Sequence, residues 1–463
     1  MSCLALFSFS WWFAPDEKSV AFEQQLPDKD EVPKEIAQSR GKVKIGEFFK
    51  KFETVPSATA TKANWPGFRG ADQSNVCLHG PSLIDSFPPA GPKRLWQIEL
   101  GEGHAAPAVF AGSVYFLDYL EKETADCLRA FDLLSGKEMW RRWYKVEIKR
   151  NHGRSRTIPA VNDDVVITLG PKAHVMCLNR LDGSLLWTSD LVDEYGTTVP
   201  QWYAGQCPII DGQKVILAPA GPKALMVARE VKSGETLWTC PNEGEMTMSH
   251  SSIIKMKLLG EETYVYAARG GLVGVSLSGE KRFLTTKWAP SVLAPSPVAI
   301  DEKRFFACAG YGSGSVIVEL SKRAGDIQAT IKQRFKPKEG FSLEQQSAIF
   351  LNGLLFGVLP KDAGSRRERF ASCSPDDLSK FIALSQEKFG LGPFIYADGK
   401  FFVLSDDGEL FIYRYGNEQF TKLSSFKVLE GPDAWGPLVL VDGYLLLRDA
   451  KRAICIDVAK ERI

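Results

Sequence analysis

The sequence predicts an all-β protein, an eight-bladed β-propeller built from four-stranded antiparallel blades. The first observation is a phrase that returns along the chain, as AFDLLSGKEMW at 130–140, CLNRLDGSLLW at 177–187 and AREVKSGETLW at 228–238. A weaker copy, GVSLSGEKRFLTTKW, occupies 274–288. Each copy reads as a short apolar strand, a polar turn with glycine and a second strand that ends on tryptophan. Recurrence at a fixed period is typical of repeat architectures.

The second observation is the spacing of the tryptophans. The intervals are 44, 47, 51 and 50 residues between successive members of the series Trp96, Trp140, Trp187, Trp238 and Trp288. An interval of this size holds the four strands of one propeller blade. We therefore assign one blade to each interval.

A second recurring element indicates the number of blades. Each copy is a proline or serine, an alternating apolar strand, a tight polar turn and another strand. Such turns between alternating apolar residues are typical of hairpins, and proline is tolerated at the first residue of a strand. Eight copies predict eight blades, and they begin at Pro107, Pro159, Pro208, Ser252, Pro297, Ser347, Pro393 and Pro437.

The last repeat lacks an outer strand of its own. It runs through AICIDV at 453–458, close to the final residue of the sequence. A spare strand, RLWQIEL, lies at 94–100, before the first repeat. We expect this strand, which contains Trp96, to complete the eighth blade and close the ring, because closure leaves no sheet edge open.

The residues of the recurring phrase are expected to be structural. The tryptophan should lie flat on the neighbouring blade, the glycine should take the turn, and the aspartate should accept hydrogen bonds from turn N–H groups. The predicted docking residues are Trp96, Asp132, Gly136, Trp140, Asp182, Gly183, Trp187, Gly234 and Trp238.

Residues 1–64 are expected to form a leader and a polar linker, followed by the propeller at 65–463. The first fifteen residues, MSCLALFSFSWWFAP, are apolar but too short to span a membrane, and they lack an opening basic residue. We interpret them as a truncated or atypical export signal, with an ordinary disordered N-terminus as the alternative. The first interpretation predicts an exported, periplasmic or envelope-associated protein. Within the linker, VKIGEFFKKFE at 43–53 is expected to form an amphipathic helix.

Composition argues against several classes of protein. The formal net charge is +1, so no overall field favours nucleic acid or an anionic membrane. The nine cysteines include no CxxC pair and no adjacent pair, which argues against a disulfide framework. We expect no nucleic-acid binding, no transmembrane span and a monomeric protein.

The loops that enter the innermost strands are rich in polar and aromatic side chains. Because each loop precedes the same strand of its own blade, eight-fold geometry would bring these side chains to one funnel mouth. Histidine, arginine and tryptophan at a concave mouth suit a polar or anionic ligand. The candidate ligand-binding residues are His104, His152, Arg154, Arg156, Gln201, Trp202, Tyr203, Gln206, His250, Gln345, Gln346 and Trp435.

Two alternatives stay open for these candidates. Each side chain could instead be a solvent-exposed loop residue that takes no part in a site. A metal site formed by His104, His152 and His250 is conceivable, since three histidines with an open position can hold zinc. The expectation remains that the protein binds no metal and has no catalytic residue.

The phrase at 130–140 resembles the tryptophan-docking repeat of pyrroloquinoline-quinone (PQQ) type propellers. That group includes quinoprotein dehydrogenases and the propeller lipoprotein of the bacterial outer-membrane barrel-assembly machinery. Further segments resemble the exported PQQ-like repeat proteins of planctomycete-type bacteria, namely WPGFRGADQSNV at 65–76, LWQIELGEGHAAPAV at 95–109, VPQWYAGQCPII at 199–210, GYGSGS at 310–315 and DDGELFIY at 406–413. The resemblance runs from about Trp65 to the end of the chain.

The resemblance implies two possible functions, a dehydrogenase and a binding scaffold. The residues of this sequence distinguish between them. A PQQ-dependent alcohol or sugar dehydrogenase needs a quinone between a tryptophan and a vicinal disulfide, Ca²⁺ on hard oxygen ligands and an aspartate base. The sequence has no adjacent cysteines and no CxxCH haem site. We therefore expect a non-catalytic binding or assembly scaffold of the cell envelope that needs no cofactor. Its partner would be an envelope protein, a polysaccharide or a small polar ligand; PQQ and Ca²⁺ belong only to the dehydrogenase alternative.

Overall fold

A computed structural model describes residues 43–54, 57, 61, 63–151 and 153–462 of the protein. Within them the chain is all-β, an eight-bladed propeller of four-stranded antiparallel sheets, as the sequence predicts. The first strands of neighbouring blades lie beside one another, so they surround the central axis.

Blades 1 to 4 follow one another along the chain, and each begins with its innermost strand and ends with its outermost strand. Blade 1 contains Ala108–Phe110, Ser113–Leu120, Ala125–Asp132 and Glu138–Lys145. Blade 2 contains Ala160–Val161, Val165–Leu169, His174–Asn179 and Leu185–Asp190, followed by the helix Leu191–Tyr195. Blade 3 contains Ile209–Asp211, Lys214–Leu217, Met226–Glu230 and Thr236–Cys240. Blade 4 contains Ile254–Leu258, Glu261–Ala268, Gly271–Ser276 and Lys281–Thr285.

Blades 5 to 8 complete the ring. Blade 5 contains Val298–Ala299, Arg304–Ala309, Gly314–Arg323 and Asp326–Phe335. Blade 6 contains Ile349–Leu351, Leu354–Val358, Arg369–Cys373 and Phe381–Lys388. Blade 7 contains Phe394–Ala397, Lys400–Leu404, Glu409–Gly416 and Gln419–Lys427. Blade 8 contains Val439–Val441, Tyr444–Arg448, Arg452–Asp457 and, as its outer strand, Lys93–Glu99; the short 3₁₀ helices are Gly364–Arg366 and Lys460–Arg462.

Hydrophobic patterning explains which strands lie inside a blade. Val165–Leu169 is buried at every position, because a middle strand is covered by a neighbouring blade on each face. Asp326–Phe335, an outer strand, alternates between exposed and half-buried residues. Every innermost strand begins one or two residues after one of the eight predicted prolines and serines.

The tryptophan phrase joins each of the first four blades to the blade before it. The tryptophan of each preceding outer strand packs against the turn glycine of the next blade. A Cβ added to that glycine would lie 2.5 to 2.7 Å from the indole. The pairs are Gly136 with Trp96, Gly183 with Trp140, Gly234 with Trp187 and Gly279 with Trp238. The aspartate has the expected role, since Asp132 accepts hydrogen bonds from the N–H and hydroxyl of Ser135. Asp182 likewise accepts from the N–H of Ser184.

The eighth blade is closed by the strand that precedes the first, as predicted. Lys93–Glu99 pairs antiparallel with Arg452–Asp457, with Trp96 opposite Cys455. The Trp96 indole then crosses to blade 1, where its Nε1 donates to the Leu133 carbonyl at 2.7 Å. One strand therefore completes the last sheet and docks it against the first.

Residues 65–77, which we call the channel segment, run through the middle of the ring. Trp65 exchanges two backbone hydrogen bonds with Val109 of blade 1, and Val161 of blade 2 donates to the carbonyl of Pro66. On the other side of the axis, Arg69 donates to the carbonyls of Ser347 and Ala348 at the start of blade 6, which stands opposite blade 2, and Val76–Cys77 pairs in parallel with the innermost strand of blade 7. Only a segment on the axis can reach the innermost strands of blades so far apart, so the channel segment fills the centre of the propeller.

Residues 43–53 correct the sequence prediction, because they do not form the expected amphipathic helix. Phe48–Lys51 is a strand that pairs antiparallel with Glu138–Lys145 as a fifth strand of blade 1. Phe48 stacks on Trp143, with ring centroids 5.7 Å apart. The open edge of blade 1 supplies backbone hydrogen-bond partners, whereas an isolated helix of this length is only marginally stable in water, so tertiary pairing overrides a weak helical pattern.

Replacing Gly136 by alanine tests the docking of Trp96. Gly136 has φ +65°, and a Cβ would lie 2.5 Å from Trp96 Cγ, so both backbone strain and overpacking oppose the change. Gly212, with φ +62° and nothing within 4 Å of its added Cβ, is the matched control for backbone strain alone. We expect G136A to lower the free energy of unfolding by about 1–3 kcal/mol more than G212A in denaturant titrations. Equal losses would contradict tryptophan docking.

Candidate functional site

The candidate site is a funnel at the end of the ring where the innermost strands begin. It encloses a cavity of about 240 Å³. Every blade contributes to its wall, blades 1 to 8 in order through His104, Arg156, Trp202, His250, Tyr311, Gln346, Phe394 and Trp435. The loops that precede the innermost strands therefore do converge on one face.

The channel segment forms the floor of this funnel through Phe68, Arg69 and Asn75. Arg69 is only 7% exposed and donates to four carbonyls, those of Gln73, Ser74, Ser347 and Ala348, at 2.7 to 2.9 Å. Burial lowers its pKa to about 10, so it stays cationic at neutral pH. The Asn75 amide donates to the Phe394 carbonyl of blade 7. The floor is thus closed and firmly held.

Two stacked aromatic pairs lie in the wall. His104 stacks on Trp435, with centroids 3.5 Å apart and an interplanar angle of 16°. Trp202 stacks on Tyr311, at 5.7 Å and 15°, and also contacts His250 at 6.0 Å. Tyr311 holds φ +54°, an uncommon conformation for a bulky residue that often marks a functional position.

The funnel has a cationic side. Arg156 donates through Nε to the Trp202 carbonyl at 2.7 Å and through an NH₂ group to the Asn151 carbonyl at 2.5 Å. Burial lowers the pKa of Arg156 to about 10, which leaves it charged at neutral pH. Burial first, and then Arg156 and Arg269, lower the pKa of His250 to about 3, so this imidazole is neutral.

Amide and carboxylate side chains of blade 6 line the other side. Gln346 donates to the Trp435 carbonyl at 2.9 Å, whereas the Gln345 amide, which is half-buried, makes no hydrogen bond to a described residue. Burial raises the pKa of Glu344, whose carboxylate accepts from the backbone N–H of Lys361. Glu344 is the single carboxylate among the described residues of the wall.

The structure brings together seven of the twelve candidate residues. These seven line the cavity, namely His104, Arg156, Trp202, His250, Gln345, Gln346 and Trp435. His152 lies outside the described residues.

The other four candidates do not line the cavity. Arg154 pairs with Glu121, and the Tyr203 hydroxyl donates to the Lys149 carbonyl. Gln206 is fully buried and exchanges two hydrogen bonds with the backbone of Ala218. The backbone carbonyl of Gln201 accepts from Asn151, and this residue is absent from the cavity wall. The side chains of Arg154, Tyr203 and Gln206 therefore hold loops in place.

Sequence reasoning missed the floor and part of the wall. Phe68, Arg69 and Asn75 belong to 65–76, which lies far from the repeats and shows no periodicity. Tyr311 lies in GYGSGS, where the glycines around a single aromatic residue were the available signal. Glu344 directly precedes the predicted Gln345, so it could have been included among the candidate residues because it is adjacent in sequence.

The residues present do not fit PQQ with Ca²⁺. Ca²⁺ takes six to eight oxygen ligands, whereas the described wall offers one carboxylate. Cys207, in the wall, is a free thiol like the other described cysteines, and no two of these are adjacent. Nor does the described part of the chain hold a group of three or more His, Cys, Asp or Glu side chains placed for a metal ion. Among the described residues no helix is long and apolar enough to cross a membrane.

The low pKa of His250 can be measured by NMR titration of its imidazole. We expect this ring to stay neutral to below pH 5, and Arg156→Gln to raise its pKa because one of the opposing charges is removed, whereas Arg156→Lys should not. The unfolded chain protonates it near 6.5, so its protonation favours unfolding as the pH falls from about 6.5 towards 3. A pKa of 6 or above in the folded protein would contradict this electrostatic description.

Comparison with known proteins agrees with the geometry. A family model described as outer membrane protein assembly factor BamB matches residues 124–350. BamB from Moraxella catarrhalis superposes with a TM-score of 0.52 at 11% identity, covering 79% of this chain and 99% of that one. A europium-containing methanol dehydrogenase gives 0.57 at 11% identity, covering 85% and 89%.

A computationally designed protein, Ika8, superposes with a TM-score of 0.51 at 11% identity over 79% of this chain and 100% of that one. No curated protein sequence matches the chain. At this identity the solved structures establish the fold alone, and the family model adds the repeat. The chain therefore shares the eight-bladed fold of the PQQ-like β-propellers, and its residues 124–350 match the repeat of that family.

Proposed function

We propose that this propeller is a non-catalytic binding or assembly module of the bacterial cell envelope, and that it engages its ligand or partner through the funnel. The observation that carries the proposal is a cavity to which all eight blades contribute side chains. A concave site with a few convergent polar groups is the usual form of a binding site. The match to an outer membrane protein assembly factor supports a scaffold or assembly role.

The chemistry of the wall supports binding over catalysis. Its carboxylate, Glu344, has no second acid beside it in the described wall, so a general acid and base pair is missing there. Burial raises the pKa of the Cys207 thiol to about 11, which keeps it protonated and a poor nucleophile. The dehydrogenase alternative would need donors that these residues do not supply.

The envelope location rests on two supports. The matched family model carries the description of an outer membrane protein assembly factor. The apolar first fifteen residues, interpreted as an export signal, lie outside the described residues. An envelope protein, a polysaccharide or a small polar ligand would each suit a funnel that is open at one end only, and a monomer suffices because the ring closes on itself.

Site-specific photo-cross-linking in the cell envelope tests the use of the funnel. A photoreactive residue at Gln345, in the wall, is compared with one at Gln213, which is exposed in the turn of blade 3 at the opposite end of the ring. We expect cross-linked products from position 345 and not from position 213. Products from position 213 alone would contradict the funnel assignment.

A dye-linked oxidation assay addresses the non-catalytic part of the proposal. The purified protein is incubated with PQQ and Ca²⁺, desalted and offered alcohols and sugars. We expect neither turnover nor retained quinone absorbance. Turnover would overturn the non-catalytic assignment.

A further inference from the structure

The proposed function does not identify the ligand of the funnel. The side chains of the funnel wall restrict which chemical class of ligand can bind. We propose that the funnel holds one ring of an acidic sugar, a hexuronate. The aromatic pairs would stack on the ring, the amides and Glu344 would bind its hydroxyls, and the cationic side with Arg156 would face its carboxylate. This inference rests on the proposed function and adds the chemical class of the ligand.

The aromatic side chains provide flat surfaces at two places in the wall. Trp435, with His104 stacked on it, comes from the loops of blades 8 and 1, whereas Trp202 and Tyr311 come from blades 3 and 5. Aromatic faces carry a large apolar area of fixed geometry, which suits the flat C–H face of a sugar ring. Both indoles are half-buried, so each keeps area that a ligand can cover.

The amides favour a ligand with hydroxyl groups. The Gln345 amide has no hydrogen-bond partner among the described residues, and the Gln346 amide uses an N–H on the Trp435 carbonyl while its oxygen remains an acceptor. A carboxamide donates and accepts at once, as does a hydroxyl, so the two groups match. An apolar ligand would bury the Gln345 amide without a partner, at a cost of about 1–3 kcal/mol.

The charges favour a single negative charge on the ligand. The charged side chains of the wall and floor are Arg69, Arg156, Lys361 and Glu344, an excess of positive charge. Both buried arginines line the cavity while donating to backbone carbonyls, so their positive charge is fixed at the floor through Arg69 and in the wall through Arg156. Glu344 opposes a more highly charged group such as a phosphate ester.

The size of the cavity limits the ligand to one ring. Its volume of about 240 Å³ lies below the range of roughly 300–1,000 Å³ that is typical of drug-sized ligands. The channel segment closes the floor, so a chain cannot thread through the propeller. A free hexuronate and the end residue of an acidic oligosaccharide present the same chemistry to this site.

Calorimetry on the whole protein tests the inference. Glucuronate and galacturonate are titrated against the neutral sugars glucose and galactose and against benzoate, which has a carboxylate and a ring but no hydroxyls. We expect at least one hexuronate to bind 10-fold or more tightly than its neutral counterpart and than benzoate. A hexuronate trimer should bind within about threefold of the monosaccharide if only its end ring enters.

Two variants of the funnel wall and one control at the opposite end locate the binding. Gln345→Leu should weaken hexuronate binding at least 10-fold while leaving the melting temperature unchanged, because the wild-type amide makes no hydrogen bond to a described residue. Gln213→Leu, at an exposed glutamine of the opposite end, should leave binding unchanged. Trp202→Leu removes one aromatic face but keeps the carbonyl that Arg156 uses, and it too should weaken binding.

Five results would overturn the inference. They are no hexuronate binding, equal binding of neutral sugars, tighter binding of benzoate or of the trimer, and full binding by Gln345→Leu. None of these results bears on whether the funnel is the binding site. The cross-linking experiment at position 345 tests that proposed function separately. Failure of the ligand class and failure of the funnel assignment are therefore distinguishable.

Discussion

The structure depends on one stretch of chain, residues 65–99, that holds the ring from its centre and from its edge. The channel segment at 65–77 bonds to the innermost strands of blades 1, 2 and 7 and, through Arg69, to the start of blade 6 opposite blade 2, and Lys93–Glu99 then completes blade 8. Without this strand the third strand of blade 8 would be an unpaired edge, whereas closure gives the last blade its fourth strand and leaves only the short outer edges of the blades. Because the same stretch also carries Trp96, closing the last blade and docking it on the first are one event.

The funnel follows from this arrangement. The innermost strands of all eight blades begin at one end of the ring, so the loops before them meet there, and the channel segment turns the open centre into a floor. Arg69 is fixed to four carbonyls on that floor, and its charge together with Arg156 makes the cavity electropositive. Burial and this field keep His250 neutral, so the wall combines fixed cations with hydrogen-bonding and aromatic groups without a metal-binding set among the described residues.

The sequence is informative wherever the signal is periodic. The recurring tryptophan phrase, the proline or serine before each innermost strand and the spare strand with Trp96 suffice to predict eight blades and their closure. Seven candidate residues could be placed in the funnel because their loops occupy equivalent positions in the repeats. Arg69 could not, since its partners Ser347 and Ala348 lie nearly 280 residues away and nothing local indicates them. The strand Phe48–Lys51 was wrongly expected as a helix because its partner is likewise distant in sequence.

Native-state hydrogen exchange tests most directly whether the channel segment and the closing strand belong to the cooperative core. The relevant amides are those of Trp65, Val109, Val161 and the ladder between Lys93–Glu99 and Arg452–Asp457, compared with the Glu261–Ala268 strand inside blade 4. The account predicts that both sets exchange only through global unfolding, with similar protection. Exchange of the first set through local opening, at rates orders of magnitude faster than in blade 4, would contradict it.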